Sequence, residues 1–119
     1  MKSITAQDWE LLSFFEIEPE LLDPDAPWVY NDALYNVICE QNLVSFAVQP
    51  SYRDVRLILI ANGKTVYELS AKGIDDVKYR KENGQEILVI CLDKGNSIFI
   101  SLKPSFQIRQ EWEQDIRDQ

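Results

Sequence analysis

The residues of this chain that could do chemistry are its carboxylates, because the sequence contains no histidine. That absence excludes Ser-His-Asp and Cys-His nucleophilic arrangements, histidine acid–base pairs, and most zinc, copper and non-haem iron sites. The four glycines are spaced as turn residues and do not form a phosphate-binding loop. We therefore predict no catalytic residue, no metal site and no cofactor.

Two close carboxylate pairs remain as candidates for catalysis or cation binding. Asp75 and Asp76 are neighbours in a predicted loop, and Asp23 and Asp25 flank Pro24. Adjacent residues of a strand point to opposite faces, and a hard-cation site needs six or more oxygens in a set geometry. We interpret both pairs as turn residues.

The net charge of −8 is concentrated in the N-terminal third of the chain. Residues 1–32 hold eight carboxylates and one basic residue, Lys2, whereas residues 33–119 hold 11 basic and 12 acidic residues. Five large aromatic side chains lie in the same N-terminal third: Trp9, Phe14, Phe15, Trp28 and Tyr30. Acidic groups interleaved with aromatic rings are typical of a surface that attracts a basic partner and then anchors it.

We therefore predict a partner-binding surface within residues 1–32. Trp9 is expected to pack on the sheet, whereas Trp28 and Tyr30 lie in a proline-flanked segment that need not be buried. Three alternating glutamates would share one face if their segment were a strand. The predicted partner-binding residues are Glu16, Glu18, Glu20, Asp23, Asp25, Trp28 and Tyr30. The alternative is that the aromatic rings only pack and the carboxylates only line a solvated face.

Composition also bears on location and on other classes of partner. An acidic balance argues against nucleic-acid binding. The longest apolar runs, 57–61 and 87–92, are far shorter than the roughly 20 residues of a membrane-spanning helix. Cys39 and Cys91 lack Cys-x-x-Cys spacing and are expected to be reduced. We expect a cytoplasmic protein that binds neither membranes nor nucleic acid.

The elements that must position these residues begin with a helix. Thr5 is the predicted N-cap, with Asp8 three residues later in the position of a capping box. Pro19 stops the helix, and residues 20–32 are predicted to be extended and irregular. The predicted apolar stripe of the helix comprises Trp9, Leu11, Leu12, Phe14 and Phe15.

From about residue 34 the hydrophobic period changes to two, which predicts antiparallel strands joined by short turns. Asn62-Gly63 and Asn83-Gly84 predict two-residue type I′ hairpins. Asp93-Lys94-Gly95 predicts a three-residue loop with a glycine bulge, and residues 105–110 predict one more strand. The pairs expected across the later hairpins are Val77 with Ile90, Tyr79 with Leu88, Lys81 with Glu86, Ile90 with Ile98, and Leu88 with Ile100.

The first hairpin is predicted to turn at Gln41-Asn42. That turn would set Cys39 opposite Val44 and would place the apolar residues of both strands on one face. Its other expected pairs are Val37 with Phe46 and Tyr35 with Val48.

The sequence thus predicts one α+β domain, mainly β, over residues 1–119. An N-terminal helix packs on a strongly curled antiparallel meander of six to eight strands, half-open or closed into a small barrel. Residues 1–32 form the acidic helix and extended segment, 33–110 the meander, and 111–119 a polar tail. That tail is expected to form either a short docked helix or a frayed end.

The function predicted from these features is a non-enzymatic, acidic protein-binding domain, monomeric or homodimeric, that engages a basic protein. In composition the chain is similar to bacterial toxin-neutralising immunity proteins, which are small, acidic and cytosolic because many of their targets are basic nucleases. That similarity carries no motif and implies a toxin as the partner.

Three alternatives stand beside it. One is a small-molecule or lipid carrier with an apolar cavity of about 300 Å³ or more inside the curled sheet. The second is a structural or assembly component that pairs through an edge strand such as 105–110. The third is an enzyme that uses carboxylates alone.

Overall fold

The computed structural model describes residues 3–113 of the chain. Within them, one α-helix precedes nine antiparallel strands: α1 (Asp8–Phe15), β1 (Glu20–Leu21), β2 (Ala33–Cys39), β3 (Asn42–Gln49), β4 (Asp54–Ala61), β5 (Lys64–Ala71), β6 (Asp76–Glu82), β7 (Gln85–Asp93), β8 (Asn96–Ser101) and β9 (Gln107–Trp112). A 3-10 turn, Trp28–Tyr30, separates β1 from β2. Strands β1 to β5 form one sheet in that order, and β6 to β9 form a second.

The two sheets share one hydrophobic core. Alternate residues of the inner strands point into it, which is what the period of two in the sequence requires. The largest fully buried side chains come from α1 and from both sheets: Leu11, Tyr35, Phe46, Leu57, Leu88, Ile90, Ile98 and Ile100. Over the described residues the sheets stay separate and do not close into a barrel, so the half-open alternative describes them.

The N-terminal segment fastens the two sheets to each other. The Ala6 N–H donates to the carbonyl of Val77 on β6 at 2.9 Å. On the other sheet, the ring of Phe15 stacks on Tyr35 of β2 and Phe46 of β3, with centroid distances of 4.9 and 5.6 Å. The N-terminal segment, which ends in helix α1, therefore contacts both sheets.

Helix α1 begins at Asp8, with Gln7 as its N-cap, so the prediction of Thr5 is wrong. The Gln7 N–H donates to Oε1 of Glu10 at 2.9 Å, which satisfies one of the free donors of the first turn. Thr5 cannot cap because its hydroxyl and its N–H (2.7 Å) both donate to the carboxylate of Asp76 on β6. A contact between distant parts of the sequence thus decides where the helix starts.

The helix buries a narrower stripe than the sequence predicted. Leu11, Phe14 and Phe15 are buried, but Trp9 is 64% exposed and Leu12 is only partly covered. Trp9 lies two residues before Leu11, about 200° around a helix with 3.6 residues per turn. The expectation that Trp9 packs on the sheet is therefore wrong, because it lies on the opposite side of α1.

Both Asn-Gly hairpins form as predicted. In each, the strand residues on either side of the dipeptide pair directly. Asn62, Gly63, Asn83 and Gly84 all have positive φ, between 52° and 79°, as a type I′ turn requires. The expected pairs of the second hairpin are also confirmed: Val77 with Ile90, Tyr79 with Leu88, and Lys81 with Glu86.

For the last predicted turn the register is confirmed, but the three-residue loop is wrong, because Asp93 belongs to β7 and pairs with Asn96. Ile90 pairs with Ile98, and Leu88 with Ile100. The register shifts between Cys91 and Asp93, and Gly95 has φ +80°.

The first hairpin differs from the prediction. Its turn is Glu40-Gln41, both with positive φ, so Asn42 is the first residue of β3 and pairs with Cys39. The predicted pairs are wrong by two positions, because the turn lies one residue earlier than the predicted Gln41-Asn42. An even shift preserves the side-chain faces, so the apolar residues still share one face.

The mainly-β class with an N-terminal helix is confirmed, with nine strands in place of six to eight. The additional short strand is β1, in a stretch predicted to be irregular. Strand β9 covers most of the predicted 105–110 and ends two residues later, at Trp112. Residues 114–119, and with them the two alternatives for the tail, lie outside the described residues. None of the described helices is long and apolar enough to cross a membrane.

Candidate partner-binding site

An open groove of about 310 Å³ lies between α1 and the segment that follows it. The described residues that line it are Asp8, Trp9, Leu12, Glu18, Pro19, Leu21, Trp28 and Tyr35. We refer to this surface as the tryptophan groove. Its two charged residues are both carboxylates, and the rest of its lining is aromatic or apolar apart from the tyrosine hydroxyl.

Trp28 is held in the groove by a hydrogen bond to the core. It is the first residue of the 3-10 turn, where Pro27 fixes the backbone just before it. Its indole Nε1–H donates to the hydroxyl of Tyr35 at 3.0 Å. Tyr35 is fully buried and stacks on Phe15, so the position of the Trp28 ring is set by side chains of the core.

Trp9 and Leu12 form the helical side of the groove. They are three residues apart on the same side of α1, and both are exposed in part. The indole of Trp9 contributes little buried area to the fold and is free to bury that area against a partner.

The negative charges of Asp8 and Glu18 both act on the hydroxyl of Tyr35. Burial raises the pKa of Tyr35 to about 12, the hydrogen bond from Trp28 opposes the rise, and the negative charges of Asp8 and Glu18 add to it. The hydroxyl of Tyr35 is therefore protonated at neutral pH. Because two separate carboxylates disfavour a third negative charge there, the groove favours a cation.

A second open groove, of about 600 Å³, continues the surface along β1. It shares Leu21 with the tryptophan groove, and it is also lined by Glu20, Leu22, Asp32, Leu34 and Arg56. Arg56 donates to the carboxylate of Asp32 at 2.9 Å, so the one cation among these described lining residues is already paired.

Of the three alternating glutamates, two line these grooves. Glu18 lies in the tryptophan groove and Glu20 in the second groove. Glu16 ends α1 with φ +57° and forms an ion pair with Lys103. Only Glu20 lies in a strand, so the condition under which the three glutamates would share one face is not met.

The other predicted residues surround the 3-10 turn. Trp28 lines the tryptophan groove, whereas Tyr30 lies outside both grooves and is 70% exposed. Asp23 Oδ1 accepts the N–H of Asp25 at 3.0 Å, which agrees with their interpretation as turn residues. The buried Asn31 closes this loop by donating to the carbonyl of Asp23 at 2.6 Å.

The sequence reasoning did not place Asp8, Trp9 or Leu12 in the site. The helical period contained the signal for the two apolar residues, because Trp9 and Leu12 are three positions apart and Trp9 lies about 200° around the helix from the buried Leu11. Assigning every apolar residue of α1 to one stripe concealed it.

Of the neighbouring carboxylates Asp75 and Asp76, the second has a structural role. Asp76 receives both donors of Thr5 and fastens the N-terminal segment to β6. Among residues 3–113, no three His, Cys, Asp or Glu side chains form a group that could hold a metal ion.

Comparison with known proteins shows a similarity of fold. No protein-family profile matches the chain, and no curated protein matches its sequence. Among solved structures, it is similar to a chain of the contact-dependent growth inhibition toxin–immunity protein complex from Klebsiella pneumoniae 342, with a TM-score of 0.75 and 22% sequence identity. The alignment covers 92% of this chain and 97% of that chain. This protein therefore has, over nearly its whole length, the fold of a chain from a toxin–immunity protein complex.

Proposed function

We propose that this protein is a non-enzymatic inhibitor of the immunity type, whose acidic surface binds a basic surface of a toxin and neutralises the toxin. The observation that carries the proposal is the similarity of fold to a chain of a growth-inhibition toxin–immunity complex over almost all of both chains. The acidic lining of the tryptophan groove supports it independently, because it fits a basic protein.

The chemistry of the chain favours the inhibitor over the toxin of such a pair. The sequence has no histidine and a net charge of −8. An inhibitor needs a complementary surface and no reacting groups, and the carboxylates and indoles of the groove provide such a surface.

The interface we propose is centred on the tryptophan groove. Specific protein interfaces bury about 1,200–2,000 Å² in total, which is more than this groove alone offers. Glu20 in the second groove extends the surface, and Asp23, Asp25 and Tyr30 form its rim. Glu16 takes part less, because its charge is already paired with Lys103. We propose the cytoplasm as the location, with no membrane or nucleic acid involved.

The test has two stages. Tagged protein captures partners from a lysate of its own host, and a basic protein that is released by high salt is identified by mass spectrometry. That protein is then expressed alone in a bacterial host, where growth arrest and rescue by co-expression of this chain are measured. We expect arrest without the chain and growth with it.

A matched pair of variants locates the surface. Reversing the charges of Glu18 and Glu20 should abolish rescue, whereas reversing Glu68 and Glu82, which are exposed on β5 and β6, should preserve it. A captured protein that is harmless on its own, or one whose toxicity this chain does not relieve, would rule out the immunity function.

One observation favours a second candidate, an assembly component. All six residues of the edge strand β9 are exposed, and Trp112 is exposed to 78%. Such an edge can pair with another strand. A mass that rises with protein concentration in light scattering would support it. The carrier has less support, because large side chains such as Tyr35 and Phe46 fill the space between the sheets.

A further inference from the structure

We infer that the tryptophan groove is an arginine-binding site, which receives one arginine side chain of the partner protein. The statement that this arginine belongs to a toxin rests on the proposed function. The choice of arginine rests on the groove itself and can fail while the proposed function stands.

The groove selects for positive charge. None of its described lining residues is cationic, and Asp8 and Glu18 are both acceptors only. The indole N–H of Trp28 already donates to Tyr35, so it is not available to an anion. A cation entering the groove meets two carboxylates and two aromatic rings, and it displaces no internal ion pair among these residues.

The combination of rings and carboxylates favours a guanidinium over an ammonium group. A guanidinium is planar and weakly hydrated, so it stacks on an indole while donating hydrogen bonds in its plane to a carboxylate. The ammonium group of lysine is compact and strongly hydrated, and it loses more on leaving water. Leu12, Pro19 and Leu21 provide apolar surface for the methylene groups of the arginine side chain.

The size and rigidity of the groove fit a single side chain. A volume of about 310 Å³ lies at the lower end of the range of small-ligand pockets. Trp28 is fixed by its bond to the buried Tyr35, so part of the site is already ordered before binding. Preorganisation of this kind lowers the entropic cost of binding.

The experiment uses the intact chain and N-acetyl-arginine amide as the probe. The chain has three tryptophans, so nitrogen-15 NMR shows three indole N–H signals, each assignable by a Trp→Phe variant. We expect saturable shifts of the Trp9 and Trp28 signals at millimolar probe, which is the affinity range of a single side chain. Trp112, on β9, is the internal control and should not move.

Matched probes and variants make the result specific. The citrulline analogue has the shape of arginine without its charge and should cause no saturable shift, and the lysine analogue should bind more weakly than arginine. Asp8→Asn and Glu18→Gln should each weaken binding of the arginine probe about three- to fivefold, the range of a partly exposed charge pair. Glu68→Gln should leave the affinity unchanged.

Four results would overturn the inference: no saturable shift, equal binding of the citrulline analogue, equal binding of the lysine analogue, or equal movement of Trp112. A shift of the Trp9 signal on dilution without probe would assign the groove to a second copy of this chain instead. None of these results affects the growth-rescue test, so failure of the arginine site and failure of the immunity function are distinguishable.

Discussion

The indole of Trp28 lines the tryptophan groove and donates its only hydrogen-bonding proton to Tyr35, whose side chain is fully buried. One residue therefore belongs both to the candidate site and to the packing of the core. Trp9, on the other side of the same groove, is largely exposed and donates no side-chain hydrogen bond to the described residues. The two tryptophans should consequently differ in what their removal does to stability.

We expect Trp28→Phe to lower the free energy of unfolding by about 1–3 kcal/mol, because the buried hydroxyl of Tyr35 loses its donor. Trp9→Phe should change it by less than about 0.5 kcal/mol. Urea denaturation measures both. In a double-mutant cycle, Trp28→Phe should cost less in a Tyr35→Phe background, and strict additivity would contradict a coupling between these two side chains.

Tyr35 also makes a prediction about alkaline pH. Its pKa is raised from 10.0 to about 12 in the folded state, so the folded state holds this proton more tightly than the unfolded state does. The resulting stability is fully present below pH 10 and is lost as the pH rises from 10 towards 12.

We expect the free energy of unfolding to fall over that interval by up to about 1.4 kcal/mol per pH unit from this residue. Tyr35→Phe should flatten the fall. Some slope should remain, because burial and the hydrogen bond to Glu86 also raise the pKa of Tyr79. Identical slopes for the wild type and Tyr35→Phe between pH 10 and 12 would show that Tyr35 is not responsible.

At the scale of elements, local chemistry determined the hairpins that were predicted correctly. Asn-Gly accepts positive φ at both turn positions, so Asn62-Gly63 and Asn83-Gly84 specify their turns without help from the rest of the chain. Glu40-Gln41 adopts the same conformation without that preference. In the first hairpin, pairing of Asn42 with both Cys39 and Ala61 places the asparagine in a strand, and no local pattern shows this.

The candidate site was predictable only in part for the same reason. The charge and aromatic content of residues 1–32 indicated the region, and Glu18, Glu20 and Trp28 line its grooves. The groove itself is formed where α1, the segment after it and β2 meet. Its two carboxylates are ten positions apart in the sequence, and only the fold shows that both act on Tyr35.

Gly95 allows a test of how the last strand is attached. It has φ +80°, and a Cβ there would overlap the carbonyl oxygen of Glu113. The N–H of Glu113 in turn donates to the carbonyl oxygen of Gly95 at 2.6 Å. Gly84 has nearly the same φ, +79°, with nothing within 4 Å of an added Cβ, so it is the matched control.

Both Gly95→Ala and Gly84→Ala should cost about 1–2 kcal/mol from the left-handed backbone. Gly95→Ala should cost about 1 kcal/mol more, because it also breaks the bond to Glu113. Hydrogen exchange should then accelerate in β9 alone. Equal costs for the two substitutions would mean that this contact does not hold the end of β9.

For the whole molecule, the asymmetry of charge has a kinetic consequence. A carboxylate surface on one part of an otherwise nearly neutral chain orients a basic partner before contact. On the proposed function, Asp8→Asn with Glu18→Gln should slow association with the partner about three- to tenfold and weaken its dependence on salt.

Glu68→Gln with Glu82→Gln changes the net charge by the same amount on other strands and should have a smaller effect. Stopped-flow measurements at several salt concentrations compare the two pairs. Equal slowing by both would mean that net charge, and not its position, sets the association rate.

Helix α1 is at once a wall of the tryptophan groove and an element that contacts both sheets: Ser13 donates a hydrogen bond to Glu86 of β7, and Phe15 stacks on Tyr35 of β2. The groove therefore exists only while the sheets are held together, and the unfolded chain has no such site. A partner at one hundred times its dissociation constant would add about 2.7 kcal/mol to the free energy of unfolding. On the proposed function, the lifetime of the inhibitor in a cell is thus coupled to its target: bound protein resists proteases, and unbound protein is degraded sooner.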